Sequence, residues 1–388
     1  MNHTLGVSSY LALKEIWRNR GRFLLVSLVI ALITILVLFI AGLGEGLGTN
    51  NRQYLENLDA QLVIFRDKAD FVIPASRLEQ TAAARIREIE GVADAGGIAT
   101  SGVAIMLPDD EVLKVALLGV EPGRPGAPEA LQGQSLSENA GNEVVIDQNV
   151  IDRTSIKIGD TIRVRSTQGV EDVFYDLKVI GITAGQFYTF QPAIFVSYAT
   201  WDEVRTKSDA ELGRPSTTVN VVAVRLQDED ELEAVSGRIE DEISDSAAAD
   251  ITTAIKNVPG YSAQQGTIQT QGVFTLLIGI LVIGGFFQIQ ILQKVPQIGV
   301  LKAIGASNAV VGAAAVVQIV MVTTLGVIIG AVLTLLLSLG FPPTVPIVID
   351  GQAALLAILA LLLIGPLGGL VSTFYAVRIE PLKALRLS

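Results

Sequence analysis

Four long runs of apolar residues occur along the chain, and each is long enough to cross a membrane. The first two carry no charged residue over 21 positions, and between Ala303 and Arg378 the only charged residue is Asp350. A helix needs about 20 apolar residues to cross the hydrocarbon core of a bilayer. The pattern therefore predicts membrane-spanning helices at 23–43, 272–292, 309–338 and 353–377.

The first run is predicted to be a retained helix and not a cleaved signal peptide. Its apolar stretch is longer than the usual core of a signal peptide, which has about 7–15 residues, and no A-x-A-like cleavage site follows it. We therefore expect it to remain in the protein as the first span.

Basic residues are concentrated in three segments outside these runs. Residues 1–22, 293–308 and 376–388 together hold nine Lys and Arg but only two acidic residues, and the loop 339–352 has no Lys or Arg. Loops with an excess of Lys and Arg stay on the cytoplasmic side. Both termini and the 293–308 loop are therefore predicted to be cytoplasmic.

The segment between the first two spans is strongly acidic. Residues 46–271 contain 35 Asp and Glu against 19 Lys and Arg, whereas the whole chain has a net charge of −11. An acidic surface argues against nucleic acid and anionic lipid as partners of this segment. The chain has no cysteine, so this segment must be stabilised by a buried core, and about 220 residues suffice for one.

Alternating strand patterns and one acidic helical pattern indicate that this segment is a mixed α and β domain. Strands are predicted at 59–65, 112–120, 143–147, 160–166, 173–182 and 219–226, and helices at 75–92 and 228–244. The Pro- and Gly-rich loop 121–133 is the predicted subdomain boundary. The predicted fold class is a membrane α-helical protein with four transmembrane helices and a large extracytoplasmic α+β domain inserted between helices 1 and 2.

These assignments divide the whole chain into segments. The prediction is a cytoplasmic N-terminal segment 1–22, span one 23–43, the outer domain 44–271, span two 272–292, a cytoplasmic helix 293–308, span three 309–338, an outer loop 339–352, span four 353–377 and a cytoplasmic tail 378–388.

The cytoplasmic loop after span two carries an unusual sequence, LQKVPQIGVLKAIGASNAVV. Residues Gln297 to Ser307 are predicted to form a short amphipathic helix. Ile298, Leu301 and Ile304 would lie on one side of it, with Lys302 apart from them. Composition alone does not distinguish this helix from a plain intracellular connector.

The stretch QIGVLKAIGAS resembles the cytoplasmic signature of FtsX-like permeases, the membrane subunits of MacB-type ABC systems. In that family this helix is the coupling helix, which sits in a groove of a separate ATP-binding subunit, and the permease is a dimer. The resemblance implies coupling roles for Gln297, Ile298, Gly299, Val300, Leu301, Lys302, Ala303, Ile304 and Gly305. Many relatives have a charged residue, often Glu, at the position of Gln297, so docking here would depend on shape and not on an ion pair.

The sequence contains no G-x-x-x-x-G-K-[ST] phosphate-binding loop, so ATP would have to be bound by a partner subunit. With one histidine, His3, and no cysteine, no catalytic constellation is visible and no metal site is predicted. The chain is therefore predicted to be a transporter subunit and not an enzyme, without a cofactor of its own.

Two further patterns, AGLGEGLG at the end of span one and GQFYTFQPAIFV at 185–196, resemble haem-exporter permeases of the HrtB and DevC type. The resemblance implies haem as a substrate. Phe187, Tyr188 and Phe190 could supply aromatic walls, and Tyr188 or Glu45 could supply an oxygen ligand to iron. The alternative is that Phe187 and Phe190 are core residues beneath a loop.

The function predicted from these features is the permease subunit of an ABC exporter of a hydrophobic substrate. ATP hydrolysis in a separate subunit would move the outer domain. Predicted partners are that subunit, a second copy of the chain, the lipid membrane and, in an envelope with two membranes, a membrane-fusion protein; nucleic acid is not expected. The predicted location is the bacterial cell membrane. Two rivals remain: a regulatory permease that controls cell-wall hydrolases without transport, and an exporter of lipoproteins or glycolipids.

Overall fold

A computed structural model describes residues 10, 13–137, 141–342 and 345–378. The chain divides into two compact units. Residues 47–264 form the outer domain, and the described residues before and after it form the membrane unit. The predicted segments 1–22, 339–352 and 378–388 lie partly outside the described residues.

Besides a helical segment before Arg20, nine helices have their bounds within the described residues. They are α1 (Arg20–Glu56), α2 (Ala82–Ile86), α3 (Gln148–Ile151), α4 (Tyr198–Val204), α5 (Leu232–Glu242), α6 (Ile251–Lys256), α7 (Tyr261–Ala303), α8 (Asn308–Ser338) and α9 (Gly351–Val377). Short 3-10 turns occur at Asp67–Ala69, Ile73–Ala75, Pro108–Asp110, Asp209–Glu211 and Glu229–Glu231.

Twelve strands lie in the described part of the outer domain. They are β1 (Leu62–Arg66), β2 (Leu78–Glu79), β3 (Val92–Met106), β4 (Val112–Val120), β5 (Gln132–Gly133), β6 (Glu143–Asp147), β7 (Thr161–Gln168), β8 (Glu171–Thr183), β9 (Ala193–Ser197), β10 (Thr218–Val219), β11 (Val221–Leu226) and β12 (Ser246–Asp250).

Four helices, α1, α7, α8 and α9, are long and apolar enough to cross a membrane. They coincide with the four predicted spans, and the outer domain lies between the first two. However, α1 has 37 residues and α7 has 43, which corresponds to lengths of about 55 and 65 Å. Both helices therefore extend well beyond the predicted spans 23–43 and 272–292, because polar residues continue the helix past the apolar run.

Glycines allow the helices of the membrane unit to pack at close range. A Cβ atom on Gly330 would lie 2.7 Å from the carbonyl oxygen of Ala31, so α8 lies directly against α1. A Cβ atom on Gly365 would lie 2.1 Å from Oγ1 of Thr323, so α9 lies directly against α8. Small residues at such contacts let helix backbones approach each other in a membrane. These glycines therefore pack the helices of one chain together.

The large sheet of the outer domain combines an open half with a closed half. Strands β12, β1, β11 and β3 pair side by side in antiparallel fashion. The pairing then continues from β3 through β4, β9, β6 and β8 to β7, and β7 returns to β3. Six strands thus form a ring, which closes because the long β3 pairs with β11 over its first half, with β4 from its middle onward and with β7 at its end.

Separate hydrophobic cores correspond to these two halves. The ring encloses a core of buried aliphatic side chains from β3, β4, β6, β7, β8 and β9, together with Trp201 of α4. The open half is covered on one side by α2 and α5, which contribute Ile86, Val235 and Ile239. A further core includes Tyr54 and Leu55 at the end of α1. The predicted α+β class of this domain thus has a direct structural counterpart.

Topology can be tested with reporters. A reporter fused after Ser388 is expected to be active only in the cytoplasm, and a tag inserted into 121–133 is expected to be accessible from outside the cell, because nine basic residues bias the predicted cytoplasmic segments. Protease protection of intact cells would measure both. External labelling of the C-terminus would contradict the orientation.

Candidate coupling and substrate sites

The predicted coupling segment is not a separate helix. It forms the last turns of α7, which continues without interruption to Ala303 although Pro296 lies within it. Proline lacks the amide hydrogen, so one rung of the helical hydrogen-bond ladder is missing there. The predicted boundary between span two and the cytoplasmic helix 293–308 is therefore replaced by a continuous helix with a local weak point.

The residues after α7 form a compact turn that explains the sequence LKAIGAS. The amide of Ala306 donates to the carbonyl of Leu301 at 3.0 Å, and the amide of Gly305 donates to that of Lys302 at 3.1 Å. This is the Schellman arrangement, which requires a left-handed residue, and Gly305 has a φ of 105°. The side chain of Ser307 then caps α8 by accepting from the amide of Val310. Only four residues thus separate α7 from α8.

The exposed surface of this segment differs from the predicted one. Ile298 is buried against Ile291, Val295 and Val311 and so is unavailable for docking. Gly299 is also buried, and Ala303 and Gly305 are exposed. Gln297, Val300, Leu301 and Ile304 are exposed together, with Leu301 at 41% and Ile304 at 80%. These four residues are called the coupling face.

Lys302 is held away from the coupling face. Its Nζ donates to the carbonyl oxygen of Val377 at 2.6 Å, at the end of α9. Closer to the span, Lys294 forms an ion pair with Glu15. These contacts attach the end of α7 to neighbouring parts of the membrane unit. The coupling face is therefore presented by a braced helix end.

The aromatic loop 184–192 of the outer domain separates its three predicted site residues. Phe187 and Tyr188 are buried, and only Phe190 is exposed, at 44%. The ring of Tyr188 packs edge-on against Tyr54, with 6.0 Å between centroids. Burial raises the pKa of the Tyr188 hydroxyl, while its hydrogen bond to Thr100 lowers it to a smaller extent. Phe187 is thus a core residue, as in the alternative interpretation. Of the three aromatic residues, Phe190 alone has its ring at the surface.

A strained turn places Phe190 at the tip of this loop. The amide of Tyr188 donates to the carbonyl of Gln191 and the amide of Gln191 donates back, while Thr189 and Phe190 have φ values of 47° and 65°. Left-handed backbone is unfavourable for a β-branched residue such as Thr189. The turn is held because the amide of Phe190 donates to the carbonyl of Asn50 on α1 at 3.0 Å.

Asp147, which was not predicted as a site residue from the sequence, fixes both ends of the loop. Its fully buried carboxylate accepts hydrogen bonds from the amides of Val150, Gln186 and Ala193 and from the side chain of Asn149. Burial raises the pKa of this carboxyl, and the four donors act in the opposite direction. An Asp directly after the strand EVVI is the available signal, because Asp commonly caps a helix start.

A cavity of about 740 Å³ opens beside the first half of the loop. Its wall includes Gln186 together with charged residues, among them Asp59, Arg124 and Arg225. Arg225 forms an ion pair with Asp59. Ligand pockets for flat apolar molecules are lined mainly by apolar side chains, whereas this wall mixes charged with apolar side chains.

Glu45 lies on α1 in the membrane unit, among glycines that accommodate an irregular segment. A Cβ atom on Gly46 would lie 2.0 Å from the carbonyl oxygen of Pro346, and the carbonyl of Gly42 accepts from the amide of Val348 at 3.0 Å. Glu45 itself is half-buried. An apolar cavity near Gly42 has a volume of only about 100 Å³. Pockets for drug-sized ligands usually measure about 300–1,000 Å³, so it is too small for haem.

Comparisons with known proteins agree with this architecture. Two family descriptions match the chain: the MacB-like periplasmic core domain over residues 23–242, and the FtsX-like permease C-terminal region over residues 271–381. Together they cover all four spans and most of the outer domain.

Relatives are similar over nearly the full length. A Staphylococcus haemolyticus protein named hemin transport system permease protein HrtB is 26% identical, with 97% of this chain and 98% of the relative covered. A Staphylococcus epidermidis protein of the same name is 24% identical over 97% and 98% of the two chains. The crystal structure of the periplasmic region of MacB from Actinobacillus actinomycetemcomitans shares 13% identity, covers 56% of this chain and 97% of that chain, and has a TM-score of 0.36. With the MacB-like match extending over more than half of its residues, the chain belongs to the MacB/FtsX-like family of ABC-type permeases and is a multi-pass, non-enzymatic membrane subunit.

Proposed function

We propose that this permease is the membrane subunit of an ABC exporter for a flat hydrophobic substrate of the haem type. The observation that carries the proposal is the coupling face, an exposed apolar surface at the end of a helix that continues from a membrane span. A group of exposed apolar side chains at the end of a helix that extends beyond the membrane is typical of an interface with a partner protein. The partner would be a separate ATP-binding subunit, because the chain has no phosphate-binding loop of its own.

The choice of substrate is supported by similarity and by chemistry. The relatives named as hemin transport permeases match over 97% of this chain. Phe190 offers an exposed ring at the tip of the aromatic loop. A ring on a strained, hydrogen-bonded turn is already positioned for stacking, so binding would cost little side-chain ordering.

The choice between Tyr188 and Glu45 as the iron ligand rests on whether the side chain can lose its proton and on where it lies. A phenolate ligand requires loss of the hydroxyl proton, and burial opposes this at Tyr188 by raising the pKa of the hydroxyl. Glu45 is half-buried and lies outside the core of the outer domain. Tyr188 is therefore treated as a core residue that supports the loop, and Glu45 would supply an axial oxygen to haem bound within the membrane unit.

A second copy of the chain would complete the exporter. Exposed apolar residues follow one another along α1 and along α7, among them Leu25, Leu32, Phe274 and Leu281. In a homodimer these faces could enclose a site larger than the 100 Å³ cavity of one chain. Both termini and the coupling face would lie in the cytoplasm, and a fusion protein would be needed only in an envelope with two membranes.

Haem binding by the purified full-length protein tests this proposal. We expect uptake of haem with a shifted absorption band, and an altered band in Glu45→Gln because an axial ligand is lost. Phe190→Ala should bind haem about twofold to tenfold more weakly, because aromatic stacking contributes about 0.5–1.5 kcal/mol. Tyr188→Phe should leave the band unchanged.

The matched control is Phe174→Ala, which removes another exposed ring of the outer domain. An equal loss of haem affinity in Phe174→Ala and Phe190→Ala would contradict a specific stacking site at Phe190. If the unmodified protein takes up no haem, the substrate assignment fails in favour of a lipoprotein or glycolipid, while the coupling face is unaffected.

A further inference from the structure

We propose that a pocket at the predicted cytoplasmic end of the membrane unit binds the phosphate of an anionic phospholipid headgroup. The pocket has a volume of about 450 Å³. It is formed by the helical segment 13–19, the last turns of α7 and the first turns of α8, and we call it the headgroup pocket. The proposal does not depend on which substrate is exported.

The headgroup pocket carries an excess of positive charge. Lys14, Arg18 and Lys294 lie on its wall, with Glu15 as the only carboxylate among the residues that line it. Glu15 is paired with Lys294. Neither Lys14 nor Arg18 has an ion pair within the described part of the chain. Basic pockets between spans on the cytoplasmic side are typical sites for anionic lipid headgroups.

A buried amide on the wall lacks a hydrogen-bond acceptor. The side chain of Gln318 is only 6% exposed, and its Oε1 lies 3.5 Å from Nζ of Lys294. Lysine can only donate, so the oxygen must face Lys294 and the amide nitrogen must point elsewhere. That nitrogen, Nε2, is buried and has no partner among the described residues. A phosphate oxygen in the headgroup pocket would accept a hydrogen bond from this amide nitrogen.

The length of α8 allows the pocket to reach the depth of lipid phosphates. Helix α8 has 31 residues and is about 45 Å long, roughly 15 Å longer than the hydrocarbon core. Its first turns therefore extend into the headgroup region. Trp17 is 78% exposed and Tyr10 is also exposed, and such aromatic residues are enriched at the membrane interface. The amine of Lys14 lies 5.7 Å from the ring centre of Tyr10.

An acidic side chain of the ATP-binding partner is the competing occupant, because Gln297 and Leu301 belong both to the pocket wall and to the coupling face. The lipid is favoured by the position of Gln318. Its amide is buried ten residues into α8 and lines the pocket together with Ala314 and Ala315, a position that favours a lipid headgroup over a side chain of a cytoplasmic partner. The small side chains leave room for that group.

Native mass spectrometry of the full chain, released from nanodiscs that contain equal amounts of phosphatidylglycerol and phosphatidylcholine, tests the proposal. We expect selective retention of phosphatidylglycerol. Retention should fall about tenfold in Gln318→Leu and in the double variant Lys14→Gln/Arg18→Gln, because each removes donors to a charged phosphate. Gln290→Leu and Arg20→Gln are the matched controls. Gln290 is a buried glutamine with an unpartnered Oε1, Arg20 is an exposed cation, and neither lines the headgroup pocket.

The outcomes separate the sources of the ligand. Loss of bound phosphatidylglycerol in the pocket variants, with normal retention in both control variants, supports the proposal. Failure of millimolar inorganic phosphate to displace the lipid also supports it. Displacement by inorganic phosphate alone would overturn a lipid site in favour of a free-phosphate site. Unchanged retention in Gln318→Leu and in the double variant would also overturn it, in favour of an acidic side chain of the partner as the occupant.

Discussion

Replacing Leu301 with glutamate is expected to abolish stimulation of the ATP-binding subunit by the permease and to prevent their co-purification. Leu301 is the central apolar residue of the coupling face and is 41% exposed in the free chain. A few apolar anchors at the centre of an interface usually supply most of the binding energy. An unpaired charge buried in their place costs about 2–5 kcal/mol, so affinity should fall by roughly 30-fold or more.

Two variants separate loss of an apolar contact from other effects. Leu301→Met preserves volume and should retain binding. Asn308→Glu adds the same charge at an exposed position in the first turn of α8, where the helix dipole tolerates an acid. Equal loss of binding in Asn308→Glu would show that added charge alone is responsible. Normal binding and ATPase activity in Leu301→Glu would show that the coupling face is wrongly assigned.

The choice of Leu301 depends on the structure and not on the motif. The sequence pattern treats Gly299 and Leu301 as equivalent members of one signature. In the fold Gly299 is buried, so a bulky residue there would disturb packing of the membrane unit before it reached a partner. Ile298 is unsuitable for the same reason, since it packs against Val295 and Val311.

The four membrane helices were predictable because an apolar run longer than about 20 residues has few alternatives to a spanning helix. Strands with β-branched residues were predictable for a similar reason: β4 and β6 occupy the predicted ranges 112–120 and 143–147. In such strands the apolar, β-branched side chains themselves indicate a buried strand.

The central strand of the sheet was not predicted. β3 spans 15 residues, but its sequence VADAGGIATSGVAIM is rich in Gly, Ala and Ser. Small side chains there are required by close neighbours: a Cβ atom on Gly96 would lie 2.2 Å from the carbonyl oxygen of Pro125. Tertiary packing thus selects residues of low strand propensity, and local pattern cannot recover the strand. Conversely, the predicted helix 75–92 is reduced to the single short helix α2.

The candidate substrate residues also show that local sequence pattern does not determine which side chains are exposed. Three aromatic residues within four positions suggest a shared surface, but the turn at Thr189 and Phe190 reverses the chain and sends Tyr188 inward and Phe190 outward. The direction of a side chain at a tight turn depends on backbone angles that sequence alone rarely specifies. The sequence marks Asp147 only as a candidate helix cap, whereas its contacts show that it holds this loop from about 40 residues away.

Asp147→Ala is expected to destabilise the outer domain by about 3–5 kcal/mol, because four donors, three of them buried backbone amides, lose their acceptor at once. The backbone amides of Gln186 and Ala193 would be left without partners at both ends of the aromatic loop. Thermal unfolding of the full chain can be followed by the fluorescence of Trp201, which is buried in the ring of strands. Asp160→Ala is the matched control. This exposed Asp accepts one hydrogen bond, from the amide of Lys157, and its loss should change stability by less than about 1 kcal/mol.

The pH dependence of unfolding distinguishes the buried carboxyl from a general loss of packing. Because burial raises the pKa of Asp147 above that of an ordinary Asp, the folded chain keeps the proton in the interval between the unfolded and folded pKa values, whereas the unfolded chain releases it. The contribution of this group to stability should therefore decrease as pH rises through that interval and level off above the folded pKa. Asp147→Ala should lack this component, and Asp160→Ala should retain it. An Asp147→Ala protein as stable as wild type, with the same pH profile, would show that the loop is held by other contacts.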